Sequence, residues 1–169
     1  LHLLVSSQLT CSLQKTLQVI KEDEAIDILN TYGNKYWENP LHIAAQLGYT
    51  DILRNLLDCG SKAASMNRNH FTPLHSAAHK GFCACVKVLL EYVKEEERKS
   101  YANQKTKFGC TALMLAIEKG YIRMCEILTE ITDLSIADKT NNTAFHYAAR
   151  RGDDAILKLL FQSIVKKFC

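Results

Sequence analysis

One phrase recurs along this chain and limits what it can fold into. Pro40-Leu41-His42-Ile43-Ala44-Ala45 returns as Pro73-Leu74-His75-Ser76-Ala77-Ala78 and again as Ala144-Phe145-His146-Tyr147-Ala148-Ala149. Ala112-Leu113-Met114-Leu115-Ala116-Ile117 is a weaker copy, and Leu1-His2-Leu3-Leu4 looks like the same phrase cut short. Subtracting the positions of His2, His42, His75, Met114 and His146 gives spacings of 40, 33, 39 and 32. Six residues after each His position stand Gly48, Gly81, Gly120 and Gly152. Beyond each glycine, apolar pairs recur one helical turn apart: Ile52/Leu53 with Leu56/Leu57, Cys85/Val86 with Leu89/Leu90, Met124/Cys125 with Leu128/Thr129, and Ile156/Leu157 with Leu160/Phe161. The pattern predicts a short helix, a glycine turn and a second helix in every unit. Such a unit cannot bury its apolar face alone, so the copies must stack into an all-α solenoid of antiparallel helix pairs.

Composition agrees. With 47% apolar and 23% charged residues, 169 residues are ample for a continuous core. Two prolines and seven glycines are too few for a sandwich or barrel, which turns every dozen residues or so. A net charge of +3 does not announce a nucleic-acid binder, and no apolar run reaches the length of a membrane span. Seven cysteines (11, 59, 83, 85, 110, 125 and 169) cannot all pair internally, and several sit in apolar stretches where a thiol acts as a small hydrophobe. They point to a reducing compartment, cytoplasm or nucleus.

Thr72 to Gly81 reads Thr-Pro-Leu-His-x-Ala-Ala-x-x-Gly, and Asn39 to Gly48 differs from it at the first residue only. On these residues the chain resembles the ankyrin-repeat family along nearly its whole length. The resemblance implies a non-enzymatic protein-interaction module, with His42, His75 and His146 tying adjacent loops, and Gly48, Gly81, Gly120 and Gly152 turning the chain. Met114 puts that tie in question at its own unit. The family usually has glycine two residues before the Thr, where this chain has Trp37, His70, Gly109 and Asn141. The first two of these loops are expected to be strained or reshaped.

The expected units are 1–36 (a degenerate first repeat), 37–69, 70–107, 108–140 and 141–169, within a single domain. Residues Val93 to Asn103, with Lys94-Glu95-Glu96-Glu97-Arg98-Lys99, read as an outer helix prolonged into solvent. The last unit reads as a cap whose polar face carries Lys158, Gln162, Lys166 and Lys167. The start inside a repeat phrase suggests a segment of a longer protein.

No phosphate loop, nucleophile elbow or metalloprotease motif is present. His75 and His79, four apart and near Cys83 and Cys85, have ligand-like spacing. Yet His75 belongs to the repeat phrase and Cys85 to the core pattern, so neither a metal, a cofactor nor a catalytic group is expected. Binding is left. The resemblance places partner contacts on the loop tips and inner-helix face: Tyr36, Trp37, Arg68, His70, Phe71, His79, Lys80, Lys105, Lys107, Phe108, Lys119, Lys139, Tyr147, Arg150 and Arg151. Stacking is expected to align their cations into one stripe facing an acidic protein or peptide, with no nucleic acid and no membrane insertion. The repeat layout looks like that of IκB and Rel-precursor proteins, which would imply retention of a transcription factor. An ankyrin array of a TRPA-type channel, or a pathogen effector mimicking host scaffolds, are the alternatives.

Overall fold

The computed structural model describes residues 30 and 34–168. Of the first unit expected over 1–36, all but residues 30 and 34–36 lies outside them, as do Cys11 and Cys169. Among the described residues there are nine helices and no strand. Four helix pairs follow one another: α1 (Pro40–Leu47) with α2 (Thr50–Asp58), α3 (Pro73–Lys80) with α4 (Cys83–Tyr92), α6 (Ala112–Lys119) with α7 (Ile122–Thr129), and α8 (Ala144–Arg151) with α9 (Asp154–Phe168). A further helix, α5 (Glu95–Ala102), is inserted after the second pair. Inner helices pack in the order α1, α3, α6, α8, and outer helices in the order α2, α4, α7, α9.

The inner helices start where the repeat phrase says. Asn39, Thr72, Thr111 and Thr143 are extended N-cap residues, and the third helical residue returns its side chain to the cap's backbone N–H. His in three units, and Met114 in α6, fills the role that Glu or Gln plays in an ordinary capping box. Each inner helix ends at its glycine in the left-handed conformation. Leu53, Val86 and Cys125 are equivalent in successive outer helices and fully buried, as are Leu89 and Leu128 one turn later. Each buried Leu contributes about 1.5–3 kcal/mol.

One expectation needs correction. The outer helix of the second pair is not prolonged: α4 ends at Tyr92, Val93 is extended, and α5 sets off as a separate helix. Arg98 Nε donates to the carbonyls of Leu90 (2.7 Å) and Val93 (3.3 Å), and buried Tyr101 donates its hydroxyl to Ala63 O at 2.8 Å. Arg98 thus ties the charged segment to the end of α4 and Tyr101 ties it to Ala63, 38 residues away, folding it back instead of letting it run into solvent. The last unit carries apolar as well as polar side chains on its exposed face. Lys158, Gln162 and Lys166 are exposed, but so are Phe161 and Val165. Ala149, whose equivalents Ala45 and Ala78 are fully buried by the next pair, is exposed as well.

Candidate functional site

Each loop tip is a tight turn closed by a backbone hydrogen bond, from Trp37 N to Asn34 O, His70 N to Asn67 O, Gly109 N to Thr106 O and Asn141 N to Asp138 O. Trp37 (φ 61°), His70 (φ 58°) and Asn141 (φ 63°) adopt the same left-handed conformation as Gly109. The first two loops are therefore not reshaped. Their unfavourable φ is offset by the side chain that opens each turn. Asn34 Oδ1 accepts from Tyr36 N and Glu38 N, and Asn67 Oδ1 accepts from Asn69 N and Phe71 N, all within 3.1 Å. Glycine is required at the third tip, where a Cβ on Gly109 would stand 2.7 Å from Lys139 N.

The tips are bonded to one another: Arg68 N donates to Tyr36 O (2.9 Å), Lys107 N to Asn69 O (2.8 Å) and Lys139 N to Phe108 O (3.0 Å). This ladder fixes the spacing of the side chains it carries. Histidine adds a second set of rungs. His42 Nε2 lies 2.9 Å from Phe71 O and His75 Nε2 3.0 Å from Gln104 O. Since a carbonyl only accepts, Nε2 carries the proton. The Thr72 hydroxyl then donates to His75 Nδ1 at 2.8 Å. Both nitrogens of His75 are thus occupied, and burial above all lowers its pKa to about 4. That excludes His75 as a metal ligand with His79 and Cys83, and among the described residues no three His, Cys, Asp or Glu side chains gather around a common point.

Met114 makes no such rung among the described residues, where its sulfur accepts from Thr111 N, at 3.5 Å. Tyr147 takes over. Its hydroxyl donates to Asp138 Oδ2 (2.9 Å) and lies 3.2 Å from Cys110 Sγ, joining the third tip, the fourth tip and α8. Tyr147 is consequently buried, although it was expected on the contact face. It supports Arg150 instead, whose guanidinium lies over its ring at 4.6 Å.

The expected cations are brought to two rows rather than one. Arg68, Lys105, Lys107 and Lys139 stand at the tips, beside exposed Tyr36, Trp37, His70 and Phe108. Lys80, Lys119 and Arg151 stand at the opposite, C-terminal ends of the inner helices, about 12 Å away for an eight-residue helix. Phe71 is half-buried against His75. Lys105 Nζ is tied to Ala137 O at 3.1 Å. Arg151 is also held, by Glu118 O (3.0 Å) and Asp153 (3.7 Å). Arg68, Lys80, Lys107, Lys119, Lys139 and Arg150 have no carboxylate partner among the described residues. His79 lies between the rows, its pKa lowered by burial and then by Lys119 and Lys80, with Glu118 opposing.

A sequence profile for ankyrin repeats in three copies matches residues 1–100 and 93–167. The chain belongs to the ankyrin-repeat family. It is similar to the human transient receptor potential cation channel subfamily A member 1, with 28% identity over 127 residues. The Caenorhabditis elegans homologue of that channel is 23% identical over 180 residues. These alignments cover 75% and 90% of this chain but only 11% and 15% of the channels. NF-kappa-B inhibitor alpha from Sus scrofa is 27% identical over 116 residues, covering 69% of this chain and 37% of the inhibitor. Ankyrin repeats form protein–protein interaction modules, and this chain is one. No helix among the described residues is long and apolar enough to cross a membrane.

Proposed function

We propose that this module holds an acidic segment of a partner protein along its finger tips and inner-helix face. The observation that carries the reading is the tip row: Arg68, Lys107 and Lys139 stand in register on a hydrogen-bonded ladder, with no carboxylate partner among the described residues. Exposed Tyr36, Trp37 and Phe108 beside them are of the residue types that dominate interface energetics. Arg150 and His79 extend the surface inward, and the cations speed association in a salt-dependent way. The free thiols at Cys59, Cys83, Cys85, Cys110 and Cys125 suit a reducing compartment such as the cytoplasm.

Similarity over 75% and 90% of the chain favours, for the parent protein, a cation channel with a longer ankyrin array, of which this chain is one stretch. The inhibitor reading fits less well, because the surface here is cationic whereas that group captures basic segments. Affinity capture with the wild type and with Arg68→Glu/Lys107→Glu/Lys139→Glu tests the proposal. Partners should weaken at least tenfold, about 1.4 kcal/mol, with the thermal midpoint unchanged. Undiminished, salt-insensitive capture contradicts it.

A further inference from the structure

Five of the large apolar side chains that stand exposed crowd the turns between inner and outer helices, at the end opposite the tips. They are Leu47, Tyr49, Phe82, Tyr121 and Ile122. The residue after the turn glycine is aromatic in three successive units: Gly48-Tyr49, Gly81-Phe82 and Gly120-Tyr121. Two of these rings lean back over the preceding unit's glycine. A Cβ on Gly48 would meet the Phe82 ring at 2.6 Å, and one on Gly81 the Tyr121 ring at 3.0 Å. Glycine thus provides a flat seat that fixes Phe82 and Tyr121 against the protein and leaves the rest of each ring to solvent, both 36% exposed, while Tyr49 is 52% exposed. Rings held in this way lose little further freedom when a partner covers them.

The hydroxyls mark the same contrast. Buried Tyr101 and Tyr147 donate to acceptors within the chain, whereas no hydrogen bond joins the Tyr49 or Tyr121 hydroxyl to another described residue. Exposed tyrosine with an open hydroxyl is an interface residue by composition. Lys80 and Lys119 end α3 and α6 directly beside these rings, without ion pairs among the described residues. Arg151, at the equivalent place, is turned back over Gly120.

We propose that this turn edge is a second docking surface, which takes an amphipathic helix of a partner protein bearing acidic residues beside an apolar stripe. Packed helices stand about 8–10 Å apart, so Tyr49, Phe82 and Tyr121 recur at that interval along the edge. Residues seven apart on one helix stripe are about 10.5 Å apart and face the same way. Residues three apart on a strand span about 10 Å but face opposite ways. A helix therefore meets all three rings where a strand does not, and the unpaired Lys80 and Lys119 call for carboxylates on its flanks. Glu118, Asp51 and Asp153 punctuate the same edge, which suits a protein segment with its own charge pattern better than a uniformly anionic lipid surface.

The test uses the 169-residue chain and a fluorescent synthetic helix of about 18 residues, with Leu at every seventh position and Glu flanking that stripe. A second probe carries Lys for Glu. The acidic probe should bind at least tenfold tighter than the basic one. Tyr49→Ser/Tyr121→Ser should weaken it at least tenfold, while the tip variant Arg68→Glu/Lys107→Glu leaves it unchanged. If the tyrosine variant melts lower, Lys80→Glu/Lys119→Glu, at exposed helix ends, supplies the same comparison. No binding, equal binding of both probes, or loss in the tip variant alone overturns the proposal; the last outcome would leave the tip reading standing. Sedimentation of the wild type with phosphatidylserine–phosphatidylcholine vesicles, abolished in the tyrosine variant, would also overturn it in favour of a lipid contact.

Discussion

Acid should unlock the histidine rungs, and His75 sets the scale. Its ring is fully buried, donating from Nε2 to Gln104 O and accepting at Nδ1 from Thr72. Burial outweighs the favourable carbonyls of Gln104 and Cys110, and His42 adds to the depression, so the pKa falls from 6.5 to about 4. A folded pKa below the unfolded one means that the unfolded chain binds the proton first. Stability is complete above pH 6.5 and is lost as the pH falls toward 4. At about 1.4 kcal/mol per pH unit, His75 alone removes about 2 kcal/mol between pH 7 and 5, and about 3 kcal/mol in all. His42, also depressed by burial, adds to the same slope. Urea unfolding followed by circular dichroism at pH 7, 6 and 5 measures the loss, well above the pH at which most carboxylates titrate. His75→Gln should be less stable than the wild type at pH 7 yet flatter across this range. An equal slope in His75→Gln, or a wild-type change under about 0.5 kcal/mol, refutes the reasoning.

Leu89→Ala, at a fully buried position between outer helices, should cost about 2–5 kcal/mol by urea unfolding. Gly109→Ala should cost about 2 kcal/mol or more, because both φ 85° and the Lys139 backbone oppose a side chain. Gly152→Ala, with φ 73° and open space around it, should cost only about 1 kcal/mol. Tyr147→Phe should cost about 1–2 kcal/mol and raise the pKa of Asp138, which hydrogen bonds from the Asn142 backbone, Thr140, Tyr147 and the Asn142 side chain hold well below the ordinary carboxylate range despite opposing desolvation; NMR titration of Asp138 reads the shift.

The helix pairs were legible because cap, third residue and turn glycine recur together: three correlated signals in each of four units leave little freedom in register. The tie between adjacent loops that the family resemblance implied is made by His42 and His75, whereas the hydrogen bonds of His146 among the described residues stay within its own cap, at Thr143. What local sequence did not carry was the break at Val93. Strong helix formers lie on both sides, and the chain turns there because Arg98 and Tyr101 find carbonyls elsewhere. Tyr147 was misplaced for a similar reason, since its burial depends on Cys110 and Asp138, 37 and 9 residues away. The strain expected at Trp37 and His70 was correct in sign, but the remedy lay in Asn34 and Asn67, the residues three positions earlier. The aromatic edge has a plain signal in the sequence, Gly-aromatic in three successive units. The cations separate into two rows because inner-helix length, not stacking alone, sets where they stand.

The central claim, that this chain grips a partner through its tips and inner-helix face, is tested most directly by site-specific photo-crosslinking in cells. A photoreactive residue placed in turn at Arg68, Lys107, Lys139 and Arg150 should capture a common partner, with the crosslinked peptide rich in Asp and Glu. The same residue at Arg54, Lys87 and Arg123, exposed on the outer helices, should capture little of it. Equal capture from both sets, or capture from the outer helices alone, would contradict the account.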